Sequence, residues 1–191
     1  MSADRPRQDA ADAAGPADPA ATLARWQAEG DAVRARLGAS GVAARERVAG
    51  LTGLQLMQAL LRGELPPPPM ADTLDFALIE VGFGRAVFQG QPLARHYNPM
   101  GSVHGGWFAT LLDSAVGCAV QTALPAGKAY TTAEIKVNIV RPLTDQVALV
   151  RAEGRLIHGG SRMATADGRL TGPDGRLYAH ASTTCFVFDA A

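Results

Sequence analysis

The spacing of apolar and polar positions changes character along the chain, first helical, then extended, then helical and extended again. Over residues 22–37 the sparse apolar positions Leu23, Trp26, either Ala32 or Val33, and Leu37 fall at helical spacing, and a second helical stretch covers 53–61, ended by Arg62-Gly63. Prolines 66–69 then make an extended connector. Residues 74–81 and 85–89 alternate in the manner of strands and are joined by Gly82-Phe83-Gly84, which predicts a hairpin. After a loop over 90–103, Phe108, Leu111, Leu112, Ala115, Val116 and Ala119 recur at helical spacing, so a largely apolar helix is predicted from Gly105 to Ala123. Four long β-type runs follow at 130–140, 146–157, 161–171 and 177–188, with turns at Pro142, His158-Gly159-Gly160 and Gly172–Gly175. Two strands, one apolar helix and four strands predict an α+β fold in which a curved antiparallel sheet wraps a long central helix.

With 191 residues, this pattern divides into a disordered N-terminus (1–20), a helical extension with its Pro-rich connector (21–70) and one domain (71–191). Residues 1–19 are rich in Ala, Asp and Pro without an apolar segment, and no stretch approaches the length of a membrane span, so a cytoplasmic protein with no membrane partner is expected. Lys+Arg 18 against Asp+Glu 18 gives a formal net charge of zero, which argues against a nucleic-acid partner and makes any phosphate recognition local. Cys118 and Cys185 have neither metal spacing nor the look of a disulfide framework and are expected as buried free thiols.

The polar residues that depart from the core pattern concentrate between His96 and Asp113. Gly105 and Gly106 open the central helix, where the first backbone N–H groups are unpaired and the helix dipole is positive, a setting suited to a developing oxyanion. Asp113, in an apolar helix where an unpaired charge is costly, is the candidate nucleophile or general base. It lies on the order of 10 Å further along the axis from the glycines, so a two-fold copy of the chain is needed to bring the two features together. Thr131 and Thr132 point to opposite faces of their strand, so at most one serves the site. No Gly-x-Ser-x-Gly elbow, phosphate-binding loop, dinucleotide fingerprint or metal-spaced cluster is present, and no cofactor is expected.

Asn98, then His104-Gly105-Gly106, then Leu112-Asp113, at a loop-to-helix junction followed by strands, resembles the signature of the PaaI-type hotdog-fold acyl-CoA thioesterases, over roughly residues 51–188. The resemblance implies hydrolysis of acyl-CoA to free acid and CoA, with the Gly105 N–H as oxyanion donor and Asn98 as amide donor to carbonyl or water. Thr132 would be the hydroxyl that positions water near Asp113. Asn98 could equally serve an Asx turn before Pro99, and His104 either touches the thioester or caps the helix. Gly106 is assigned to close packing at the substrate, Trp107, Phe108 and Met100 to the acyl tunnel, and Arg162, ahead of Lys136 and Arg141, to the CoA phosphates. A homodimer or a dimer of dimers is expected. The rival readings are a hydratase or dehydratase on acyl thioesters, which would want His104 and Asp113 to act together, and a non-catalytic acyl-CoA sensor.

Overall fold

The computed structural model describes residues 18–190. Helix α1 (Pro19–Arg34) begins where Asp18 accepts the Ala20 N–H at 3.0 Å and Pro19 occupies the first turn. The expected start at residue 22 therefore moves back, and Pro19 and Ala20, placed in the disordered N-terminus by sequence, are helical; residues 1–17 lie outside the described residues. Two short helices, α2 (Arg45–Val48) and α4 (Pro69–Thr73), were not foreseen, and α4 opens on the last proline of the connector, a favoured first-turn residue. Between them α3 (Gly53–Leu61) matches its predicted span, fixed by a reciprocal pair in which Thr52 N–H donates to Gln55 Oε1 and Gln55 N–H to Thr52 Oγ1.

Strands β1 (Phe76–Gly82) and β2 (Arg85–Gly90) form the predicted hairpin, the central helix α5 spans Gly105–Thr122, and β3 (Lys128–Ile139), β4 (Val150–Gly159), β5 (Met163–Thr171) and β6 (Leu177–Asp189) follow. All pairings are antiparallel, in the spatial order β1-β2-β4-β5-β6-β3. β4 starts four residues later than the pattern suggested. Val147 N–H bonds back to Thr144 O in a turn and Leu143 and Leu149 are buried, so apolar residues there serve a packed loop rather than a strand.

α5 lies across the inner face of the sheet with Leu111, Leu112, Ala115, Val116, Ala119 and Val120 at 0% exposure. Burial of each larger side chain among them stabilises by roughly 1.5–3 kcal/mol. The approach is close because the sheet offers no side chain beneath the helix. A Cβ placed on Gly154 of β4 would lie 2.2 Å from the Ala115 carbonyl oxygen, and one on Gly168 of β5 would lie 2.7 Å from Val116 Cγ1.

α1 packs on the opposite, outer face, where Val33 meets Ala77 and Ile79. Buried Arg151 of β4 anchors it: the guanidinium bonds Gln89 Oε1 (3.0 Å), Glu80 Oε1 (3.2 Å) and Glu29 Oε2 of α1 (2.6 Å) and sits 4.6 Å from the Trp26 ring centroid. At the other side of the sheet β3 pairs only with β6, so its second edge is open among the described residues.

Gly154→Ala should destabilise the protein by about 3 kcal/mol, since the added methyl meets backbone that cannot rotate away. Urea unfolding measures this, and a loss under about 0.5 kcal/mol would show that helix and sheet can part without cost.

Candidate active site

The loop that precedes α5 is held from both sides. Tyr97 Oη donates to Asp145 Oδ1 (2.8 Å) and accepts the Asp145 N–H (2.9 Å), Val103 N–H reaches Leu143 O (2.9 Å), and His104 N–H reaches His96 O (2.8 Å). Buried His96 stacks on Trp107, with ring centroids 5.5 Å apart. Its Nδ1 accepts the Leu93 N–H, and its Nε2 lies 3.0 Å from Asp75 Oδ2, too far off line for a good hydrogen bond.

Asn98 takes the turn role in this structure. Its Oδ1 accepts the N–H groups of Met100 (2.9 Å) and Ser102 (3.4 Å), while Nδ2 donates to Ser102 Oγ at 3.2 Å. One amide hydrogen of Nδ2 remains for a ligand. His104 is the helix N-cap, and its Nδ1 accepts the Gly106 N–H at 2.9 Å. Gly106 is thus spent as a donor, and a Cβ there would come within 3.0 Å of that same Nδ1, so close packing explains it. The Gly105 N–H has no acceptor among the described residues and is the free donor at the positive end of α5.

Along the stripe of α5 not covered by the sheet stand Thr110, Asp113, Ser114, Cys118 and Gln121, all half-buried. The Thr110 and Ser114 hydroxyls are returned to helix carbonyls, on Gly106 O and Thr110 O at 2.9 Å each. Asp113 instead receives Thr132 Oγ1–H on Oδ1 at 3.0 Å. Thr132 is thus the member of the pair that faces the helix, whereas Thr131 is exposed on the other face of β3. No cation pairs with Asp113 among the described residues.

Two neighbours of this carboxylate were missed in the sequence. Tyr130 lies against Gly117, where a Cβ would meet its Oη at 2.5 Å, and Cys118 follows in the helix. A glycine inside an otherwise good helix was the available signal for a close approach. Burial first, and the Asp113 charge second, push the Cys118 thiol up to about 12. Burial likewise raises Tyr130 well above its ordinary value, with Cys118, Cys185 and Asp113 adding to it. Cys185 is also raised, by burial first. At neutral pH none of these three supplies an anion, so Asp113 is the one carboxylate on this face of α5 among the described residues.

Of the remaining expectations, Trp107 lies in the core at 3% exposure, with its indole N–H on Leu74 O at 2.9 Å, rather than in a tunnel open to substrate. Phe108 is equally buried, and Met100 stands out at the loop tip at 88% exposure. Arg162 is exposed in the turn before β5; its carbonyl accepts the Val187 N–H, and Val187 pairs with Tyr130. It forms no ion pair among the described residues, and neither do exposed Lys136 and Arg141. One chain therefore places the candidate residues in two groups: Thr132 with Asp113, and Asn98, His104 and Gly105 at the helix start. The eight positions from Gly105 to Asp113 hold them about 12 Å apart along α5.

Known proteins resemble this chain in sequence and fold. The family model described as the thioesterase superfamily matches residues 100–179, the span from the loop tip through α5, β3, β4 and β5 to the start of β6. A candidate esterase of Halobacterium salinarum is 35% identical over 79 residues, 40% of this chain and 50% of that protein, so the match spans half the relative's length. A solved structure from Ralstonia eutropha JMP134, described as a candidate thioesterase related to phenylacetic acid degradation, is 30% identical with a TM-score of 0.62, covering 68% of this chain and 98% of that one. The phenylacetic acid degradation protein PaaI of Thermus thermophilus, solved as an asparagine-to-aspartate variant, is 28% identical with a TM-score of 0.55, covering 62% of this chain and 97% of that one. No helix among the described residues is long and apolar enough to cross a membrane. With the loop-to-helix motif, the strand order and nearly the whole length of the Ralstonia protein matched, the chain belongs to the PaaI-type hotdog thioesterases.

Proposed function

We propose that the protein hydrolyses acyl-CoA thioesters to the free acid and CoA, at sites each built from two subunits. The observation that carries this reading is the half-buried Asp113 carboxylate, unpaired by any cation among the described residues and oriented by the Thr132 hydroxyl at 3.0 Å. Held on one oxygen, it keeps the other free to react. As a general base it takes a proton from water while the water oxygen bonds to the thioester carbonyl carbon; the C–S bond then breaks and the thiolate leaves, to be protonated as CoA. As a nucleophile it bonds to that carbon itself, releases the thiolate, and the resulting anhydride is opened by water. Both routes give the same products. In both, the carbonyl oxygen becomes anionic and suits the free Gly105 N–H, a contribution of about 3 kcal/mol at such sites. The exposed, unpaired Arg162, Lys136 and Arg141 suit the CoA phosphates.

The geometry of β3 supports the shared site. Its twelve residues form an open sheet edge, and the exposed Ile139 and Val140 continue it with apolar surface. Gly105 sits beside the end of this strand, since a Cβ on it would lie 3.2 Å from Ile139 Cδ1, whereas Asp113 sits beside its beginning, at Thr132. If two β3 edges pair antiparallel about a two-fold axis, the end of one strand meets the beginning of the other. Gly105 of each subunit then faces Asp113 of its mate.

Asp113→Asn should preserve folding and assembly and lower kcat/KM by about a thousandfold or more, because the amide keeps the shape and loses the nucleophile or base. Thiol release from a panel of short, medium, long and aromatic acyl-CoAs checks it, and wild-type turnover by this variant would remove Asp113 from the reaction. Should the native protein bind panel members without releasing thiol from any, it is an acyl-CoA sensor instead.

Thr132→Val, isosteric but without the hydroxyl, should lower kcat by about tenfold with little change in KM, the loss of one hydrogen bond to a charged group. A change confined to KM would instead put Thr132 in binding alone.

The shared site predicts complementation. Gly105→Pro removes the N–H at the first helical position, where proline is tolerated, and His104 already has the extended backbone that precedes proline (φ −64°, ψ 139°). Mixed with Asp113→Asn subunits under exchange, it should give heterodimers with one complete site and about half the wild-type activity per dimer. Verified heterodimers as inactive as their parents would refute the shared site while leaving the fold untouched.

A further inference from the structure

We propose that Thr183 of β6 is a positioning residue for the hydrolysis: its hydroxyl holds a bulge in β3, and the bulge turns Thr132 toward Asp113. This rests on the reading of Asp113 as the reacting group. Along β6 the side chains on the inner face are Ala179, Ala181, Thr183, Cys185 and Val187, all buried. Thr183, at 3% exposure, carries the one hydroxyl in that row. It donates across to β3, meeting the Glu134 carbonyl oxygen at 2.8 Å. A buried hydroxyl among apolar neighbours needs such an acceptor, whereas the isosteric valine would pack there without one.

The acceptor lies where the ladder between β3 and β6 is interrupted. From Ile139↔Ala179 to Glu134↔Thr184 the partners run in step, so Ile135, Val137 and Ile139 share the inner face. Continued without interruption, the ladder would pair Ala133 with Cys185 and Thr132 with Phe186. Thr132 would then face outward, as exposed Phe186 does, and a methyl group would stand beside Asp113 in place of a hydroxyl. Instead the register shifts between Thr132 and Glu134, Ala133 is passed over, and Thr132 pairs with Cys185. Its Oγ1 thereby reaches Asp113 Oδ1 at 3.0 Å, while Thr131 is left exposed. The choice between the two threonines, open in the sequence, is made by one extra residue in the strand.

Thr131, Thr132 and Ala133 are all small, so packing alone distinguishes the bulged ladder from the uninterrupted one only weakly. The Thr183 hydroxyl supplies the difference. In a regular ladder carbonyls lie in the plane of the sheet and side chains stand roughly perpendicular to it. A carbonyl that meets a side chain of the next strand has tipped toward the inner face, and the hydrogen bond favours the form of the strand in which it does so. Cys185 completes the link: it pairs with Thr132, and its Sγ lies 3.9 Å from Thr183 Oγ1. Burial keeps this thiol protonated at neutral pH, with both threonine hydroxyls in hydrogen-bonding reach. Both hydroxyl hydrogens are already given, Thr132's to Asp113 and Thr183's to Glu134, so the S–H is the donor between them.

The test uses the full chain and the acyl-CoA of the panel that it hydrolyses fastest. Thr183→Val should lower kcat by about fivefold with KM within about twofold of native, the loss of one hydrogen bond. Thr183→Ser, which keeps the hydroxyl, should retain native kcat. Because Thr183 acts through Thr132, the double variant Thr132→Val, Thr183→Val should be no slower than Thr132→Val alone, whereas a merely structural loss would multiply. Amide hydrogen exchange gives a readout without turnover: protection over 131–135 should fall at least about fivefold in Thr183→Val and not in Thr183→Ser, while β4 holds. If Thr183→Val does not fold, Thr183→Ala takes its place in every comparison. If the native protein releases no thiol but exchange responds in this way, hydrolysis fails while the held bulge stands. Unchanged exchange over 131–135 overturns the proposal in either case. In an active enzyme so does native kcat in the folded Val or Ala variant, a Ser variant as slow as it, or an effect that multiplies with that of Thr132→Val.

Discussion

The contact on which the rest of the structure depends is that of α5 with the backbone of β4 and β5. Because Gly154 and Gly168 present no side chain, the helix settles against the sheet at the distance of a carbonyl from a Cα rather than of two side chains. Six contact positions on the helix are thereby buried to 0% exposure, and the rotation of the helix is fixed by them. Once it is fixed, only one stripe of α5 escapes the sheet, and Asp113 lies on it. The place of the carboxylate thus follows from where two glycines sit on strands far away in the chain.

The two edges of the sheet have opposite fates. Around β1 the extension wraps from both sides: α1 places Val33 on the outer-face residues Ala77 and Ile79, and α3 lies between β1 and α5. The Arg151 network holds this arrangement by joining α1, β1, β2 and β4 through Glu29, Glu80 and Gln89, and because Arg151 is buried, loss of any one acceptor leaves charge poorly compensated. An edge covered in this way offers no backbone for another strand, whereas β3 does. Of the two edges, β3 is the one left for the assembly proposed above.

Much of this was legible in the sequence because it depends on local spacing. The apolar period of 108–119 located α5, the alternation located the hairpin, and the short range of Asn98-Pro99 and His104-Gly105-Gly106 located the loop-to-helix junction. What was not legible depends on partners distant in the chain. One local choice was also left open, whether Asn98 turns its amide on a ligand or on Met100 and Ser102 of its own loop. Trp107 reads as an acyl-tunnel residue until Leu74 and His96 are placed beside it. The loop at 141–149 carries apolar residues as a strand would, and only burial of Leu143 and Leu149 in a packed turn shows their use.

The neighbourhood of Asp113 also explains why a single hydroxyl is kept beside it. Burial holds Cys118 and Tyr130 neutral, and a negative charge nearby pushes them further in the same direction. The face therefore carries one anion set among groups that resist ionisation and offer it no cation. If a second subunit covers this face, water is withdrawn from the carboxylate, and a charge losing water without hydrogen bonds costs several kcal/mol. Thr132 supplies one donor that does not depend on solvent, and the Gly105 N–H of the mate becomes available to the oxygen formed on the substrate rather than to the carboxylate itself. In the proposed reaction the division of donors is the step that matters: one group steadies the charge present before reaction, the other meets the charge that appears during it, and separating them by eight residues of α5 makes assembly the condition for having both.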